Sequence, residues 1–169
     1  MLDNPHSTHS TLRERIVEHL LAGEALRVFW RRGIRDLEVL RSEFDAYGYD
    51  LVLSRGPIVR HIQFRTKLQT SGAAAVKPRR VSISRQLGDK PSGCVIWIVV
   101  TPMLELGPYY WFGGLPGEPL PDIDGYRKPK RIGRTAEGNR PPRTNQRTIP
   151  TSEFEFVGDL EGILAKLFG

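Results

Sequence analysis

A single cysteine, no long apolar run and no familiar catalytic signature are the first features of this 169-residue chain. One thiol, Cys94, excludes an intramolecular disulfide framework and a cysteine-based zinc site. No apolar stretch approaches the roughly 20 residues that span a bilayer. The opening MLDNPHSTHSTLRERIVEHLL has no basic segment followed by a long apolar one, so no signal peptide is expected and the cytoplasm is the default location. G-x-S-x-G, a glycine-rich phosphate loop and H-E-x-x-H are all missing, so serine hydrolases, nucleotide-binding enzymes and zinc peptidases lack support.

What is present suits one domain over residues 1–169, with a core over about 11–114. Hydrophobic residues make up 39%, below the globular average, so part of the chain is expected outside the core. Charged residues at 26% argue against disorder throughout. The net charge of +6 is concentrated. Arg127, Lys128, Lys130, Arg131, Arg134, Arg140, Arg143 and Arg147 face only Glu137 within 127–147, a local net of +7 that leaves −1 for the remainder. Prolines and glycines through about 115–150 disfavour regular structure there. The expectation is a basic loop suited to a polyanion, most often nucleic acid, with DNA the first choice; a solvated surface loop explains the charge equally well.

Periodicity supplies the elements. Thr11–Arg32 reads as a helix, with Leu12, Ile16, Leu20 and Trp30 on one stripe and Val17, Leu21 and Val28 on the next; Gly33 stops it. Asp36–Arg41 reads as a short strand. Tyr49–Leu53 and Ile58–Thr66 read as strands joined by Ser54-Arg55-Gly56-Pro57. Arg79–Leu87 fits helix or strand, and the helix is preferred. Cys94–Thr101, CVIWIVVT, is expected as a central strand covered on both faces. Trp97 and Val99 then face one layer, and Ile96, Ile98 and Val100 the other. Tyr109–Phe112 reads as an edge strand, and a last helix near Asp159–Phe168 buries Leu160, Ile163, Leu164, Leu167 and Phe168. The whole is an α/β fold with a mixed central sheet flanked by helices, including a C-terminal one.

Chemistry concentrates in the hairpin. Alternation puts His61, Gln63, Arg65 and Lys67 on one face of the second strand, with Ile62 and Phe64 on the other. A turn centred near Gly56 sets Asp50 opposite Gln63 or one pair away. A carboxylate, an amide oxygen and two cations then share a patch. An antiparallel hairpin with one wet face predicts the same alternation without any site. A lone His61 does not make a zinc site.

Helix Thr11–Arg32, Asp50 in GYDLVL, the triplet Gln63-Phe64-Arg65 and strand CVIWIVVT together resemble the PD-(D/E)XK nuclease superfamily, over roughly residues 11–101. The resemblance implies a restriction-endonuclease-like core and Mg²⁺ (or Mn²⁺) held by Asp50 and Gln63. It also implies a helical acid, for which Glu24 is the candidate, because it shares a stripe with Val17, Leu21 and Val28. Arg65 stands where active members carry lysine. It is always protonated and clamps phosphate as a planar fork. Lys67 starts roughly 6.6 Å further along the strand and is a substitute. Glu43 and Asp45 lie in the preceding loop. The expected activity is Mg²⁺-dependent phosphodiester cleavage of DNA or a related nucleic acid, either by a monomer or by a homodimer. An inactive nucleic-acid-binding module on the same fold is the alternative. So is a protein-interaction domain using the aromatics Tyr109, Tyr110, Trp111 and Phe112, which otherwise could stack on bases.

Overall fold

Two apolar periods, one helical and one strand-like, build the framework seen in the computed structural model, which describes residues 8–44, 47–69, 80–129 and 144–169. In chain order the elements are α1 (Ser10–Arg31), β1 (Leu37–Leu40), β2 (Leu51–Arg55), β3 (Ile58–Leu68), β4 (Arg80–Ser84) and β5 (Gly93–Val100). Then come β6 (Leu106–Gly113), β7 (Gln146–Pro150), β8 (Glu155–Phe156) and α2 (Leu160–Phe168). Short 3-10 turns occupy Arg85–Asp89 and Thr151–Glu153. The main sheet runs β1-β2-β3-β5-β6-β8. Its β3–β5 pair is parallel and the others are antiparallel. Strands β4 and β7 form a separate antiparallel ribbon.

The α/β architecture with a mixed sheet and a C-terminal helix is as expected. Strand β5 is buried along its whole length. Cys94, Ile96, Ile98 and Val100 pack toward the helices, while Val95, Trp97 and Val99 pack toward the ribbon. Three layers result: helices, sheet, ribbon. No helix among the described residues is long and apolar enough to cross a membrane.

Helix α1 lies on the sheet through Val17, Leu21, Ala25 and Phe29, a row spaced by four, with Ala22 beside it. Leu12, Leu20 and Trp30, expected on the buried stripe, are exposed. The alanines explain the difference. They carry little hydropathy signal, yet their small size lets the helix settle close to the sheet. Gly33 stops α1 with φ +75°, and the Ile34 N–H closes back on Phe29 O at 2.9 Å, the six-residue closure of a helix C-terminus.

Residues Arg80–Ser84 are strand, in place of the helix expected over Arg79–Leu87. Val81 and Ile83 are buried while Arg80 is exposed, so a period of two governs. Among the described residues, no α-helix lies between β3 and β5, which are separated by β4 and the short 3-10 turn Arg85–Asp89. Strand β6 is not the sheet edge. The two-residue β8 pairs with it at Tyr110 and Trp111. Strand β7 emerges from the stretch read as aperiodic, with Arg147 and Ile149 alternating inward.

Arg60 fastens the far end of the molecule. It is fully buried on β3 and donates from Nε to Leu167 O at 2.8 Å and from Nη2 to Lys166 O at 2.7 Å. These are carbonyls that the end of α2 cannot satisfy itself, at the pole where a cation is favoured. Burial pulls the Arg60 pKa below its ordinary value, against the opposing pull of Cys94 and Glu118.

Candidate functional site

The β2–β3 hairpin turns on Gly56, whose φ of +56° suits the first position of a tight two-residue turn. Its register pairs Leu51 with Ile62, so Asp50, the next residue back, faces Gln63. The Asp50 N–H donates to Ile62 O at 2.8 Å. Its carboxylate Oδ2 accepts the Phe64 N–H at 2.7 Å. The side chain thus continues the ladder past the end of β2, clasping the backbone on both sides of Gln63.

Alternation sends Gln63 and Arg65 away from the helices, toward the ribbon. Gln63 is 4% exposed, and its Oε1 accepts the Ser84 N–H at 3.2 Å. Arg65 donates from Nε to Ser82 O at 2.9 Å and from Nη1 to Phe64 O at 3.0 Å. Both side chains therefore join the sheet to β4. With Asp50 they line a polar cleft of about 210 Å³. Its opposite wall is Ser84, Gln86, Asn145 and Gln146. Gly48 lies hard against Ser84: a Cβ on Gly48 would meet the Ser84 Cβ at 2.1 Å, so only glycine lets the chain pass there.

The structure thus brings Asp50, Gln63 and Arg65 together. Lys67 follows on the same face, half-buried, outside the cleft lining. Glu24 is not brought to the cleft. It pairs with Arg27 at 2.5 Å and borders a separate groove beside Tyr109 and Asp159, on the helical side of the sheet. The buried acid of α1 is Glu18, 4% exposed, bound to Arg41 at 2.7 Å and Arg15 at 3.0 Å. Leu40 pairs with Val52, so Arg41 lies at the Asp50 end of β2, and Glu18 stands over that end. Glu24 is six residues on, about 9 Å along the axis. The signal for Glu18 was its place beside Val17 and four before Ala22.

His61 is spoken for structurally, with Nδ1 2.8 Å from Pro91 O and its ring edge-on to Tyr49. Tyr109, Tyr110, Trp111 and Phe112 are all buried, and Tyr110 stacks on Trp97 at 4.4 Å. They form core and leave no aromatic platform. Arg127 and Lys128 are exposed, and Arg127 bridges to Thr148 through the 2.7 Å bond from the Thr148 N–H to Arg127 O. Arg147 is 5% exposed, with Nη1 donating to Thr144 O at 2.8 Å and to Gln146 O at 3.0 Å. It belongs to the ribbon and not to a phosphate-binding surface. Lys130, Arg131, Arg134, Arg140 and Arg143 lie outside the described residues, as does Asp45. The residues missed by sequence reading are Ser84, Gln86, Asn145 and Gln146, which reach the cleft only through β4–β7 pairing.

Among the described residues no group of three His, Cys, Asp or Glu is arranged to hold a metal ion. No protein-family model and no curated protein matches the chain.

Proposed function

We propose that the chain is a divergent PD-(D/E)XK-type protein that cleaves phosphodiester bonds of nucleic acid with Mg²⁺ or Mn²⁺. The reading rests on one observation: Asp50 held across from Gln63, with Arg65 on the wall of the same polar cleft.

The donor set fits a divalent cation that the substrate completes. Asp50 brings a carboxylate. Gln63 Oε1 has given one lone pair to Ser84 and keeps the second. Mg²⁺ commonly takes one or two protein oxygens, several waters and phosphate oxygens. When bound, such an ion polarises the phosphate and makes a water acidic. The chain's own residues then divide the remaining tasks. Arg65, a fixed cation, holds a non-bridging phosphate oxygen, and Lys67 meets the neighbouring phosphate along the strand. Glu18, the buried acid of α1, is held by Arg15 and Arg41 and, like Glu24, does not line the cleft, so no helical acid is assigned to the ion. Arg127 and Lys128 bind backbone charge without regard to sequence.

The Arg65 contacts also favour a second reading, an inactive binder. A guanidinium tied to two backbone carbonyls and never deprotonated cannot accept a proton from water. Incubating single- and double-stranded DNA with the protein and Mn²⁺ separates the two. Nuclease function predicts divalent-dependent cleavage that disappears in Asp50→Asn. Retained binding with no cleavage by the wild-type protein leaves the inactive binder.

A further inference from the structure

The polar cleft does not end at Gln86 and Asn145. The same two amides also line a larger cavity of about 590 Å³ bordered by the Arg85–Asp89 turn. Its walls differ in character from those of the cleft. Pro119 and Pro121 are exposed and line it, and Gly88 leaves open space, since a Cβ added there would meet nothing within 4 Å. Asp89 and Asp122 bring acceptors. Arg85 is committed to Asp124, with Nε to Oδ1 at 2.5 Å and Nη2 to Oδ2 at 2.9 Å, so its charge is already balanced.

Such a cavity repels phosphate and suits a nucleobase. The cavity is lined mostly by polar groups, with Pro119 and Pro121 as its exposed apolar contacts; amides read hydrogen-bonding edges, and carboxylates accept from exocyclic amino and ring N–H groups. We propose that this cavity binds an unpaired base next to the phosphate held in the cleft, with Gln86 and Asn145 reading its edge from the shared wall. The substrate class is then single-stranded nucleic acid, or a duplex with a base extruded, since a base paired in a helix cannot enter. The proposal rests on the cleft being a phosphate site.

Fluorescence anisotropy with labelled 12-mer DNA, single-stranded and duplex, in Ca²⁺ to prevent turnover, tests it on the full chain. The expected result is tighter binding of the single strand by at least about tenfold, with Gln86→Ala and Asn145→Ala each costing it about 5- to 150-fold, the range of one lost base contact. Gly88→Trp puts a large side chain on the cavity lining at a position where a Cβ meets no neighbour, and is expected to lower single-strand affinity toward that for duplex. Circular dichroism melting checks that each variant is folded; if one is not, the other two carry the test. Equal affinity for single strand and duplex, unchanged by any folded variant, overturns the base pocket. If Arg65→Ala weakens both substrates in that case, the phosphate cleft stands. If Arg65→Ala weakens neither, the phosphate reading fails with it.

Discussion

The Asp50 carboxylate accepts the Phe64 N–H, so a substitution there disturbs the fold as well as the proposed chemistry. Alanine strands a backbone donor beside the buried Gln63 and costs about 1–3 kcal/mol. Asparagine keeps an acceptor oxygen and loses the charge. Asp50→Asn is therefore expected to melt close to wild type while losing any divalent-dependent cleavage, whereas Asp50→Ala loses both. Thermal melts read beside a cleavage assay decide it: an Asp50→Asn protein that still cleaves removes Asp50 from the chemistry. Cys94 offers an independent check of the core. Burial pushes its thiol up to about 12, with Arg60 pulling weakly the other way. Alkylation near pH 8 is expected to require denaturant, since the thiolate is the reactive form and the site is closed to solvent. Labelling of the native protein at the rate of a free thiol would mean that β5 is not central.

At the scale of elements, the ribbon carries the wall that faces Asp50, and it is the part least visible in the sequence. The hairpin and β5 each announce themselves within a dozen residues, through Gly56 between alternating strands and through the unbroken CVIWIVV run. Strand β4 pairs with β7 from Arg80↔Pro150 to Ser84↔Gln146, across more than sixty residues, and neither strand exceeds five. Nothing local distinguishes VSISRQL as strand from helix until Ile149 is set beside Val81. The same gap hid Gln86 and Asn145. The loop before β7 is held to this ribbon by Arg85 on Asp124. That hydrogen bond, followed by the charges of Arg85, Arg147 and Lys128, keeps the Asp124 carboxyl below the usual aspartate range. A depressed carboxylate pKa stabilises the fold above its unfolded value, near 3.9, and the contribution is lost as pH falls through the folded value. The melting-temperature gap between wild type and Asp124→Ala is expected to be constant from pH 5 to 8 and to close below about pH 4. A gap that stays constant down to pH 2 would show that the carboxylate's charge plays no part.

For the whole molecule, the sheet separates a helical face from a ribbon face. Helices and the Arg60 clamp hold one side, while the other bears Asp50, Gln63 and Arg65 under the ribbon. Arg127 and Lys128 leave the chain from Thr148 on that ribbon, so the basic segment starts on the cleft side. Sequence reading counted eight cations there; structure removes Arg147, whose guanidinium is buried against Thr144 and Gln146. If four of the remaining seven neutralise phosphates, log K against log salt falls with a slope of about −3.6 for duplex DNA, at roughly −0.9 per contact. Replacing Arg127, Lys128, Lys130 and Arg131 with alanine is expected to flatten that slope and weaken all sequences alike, with little change in melting temperature. Arg147→Ala is expected to do the opposite: leave the slope intact and lower the melting temperature, because it opens the ribbon and leaves carbonyls without donors. Filter binding across a salt series, paired with thermal melts, separates the two classes of arginine. An Arg147→Ala protein that loses salt-dependent binding but melts normally would return that residue to the phosphate surface and place the ribbon in contact with the nucleic acid.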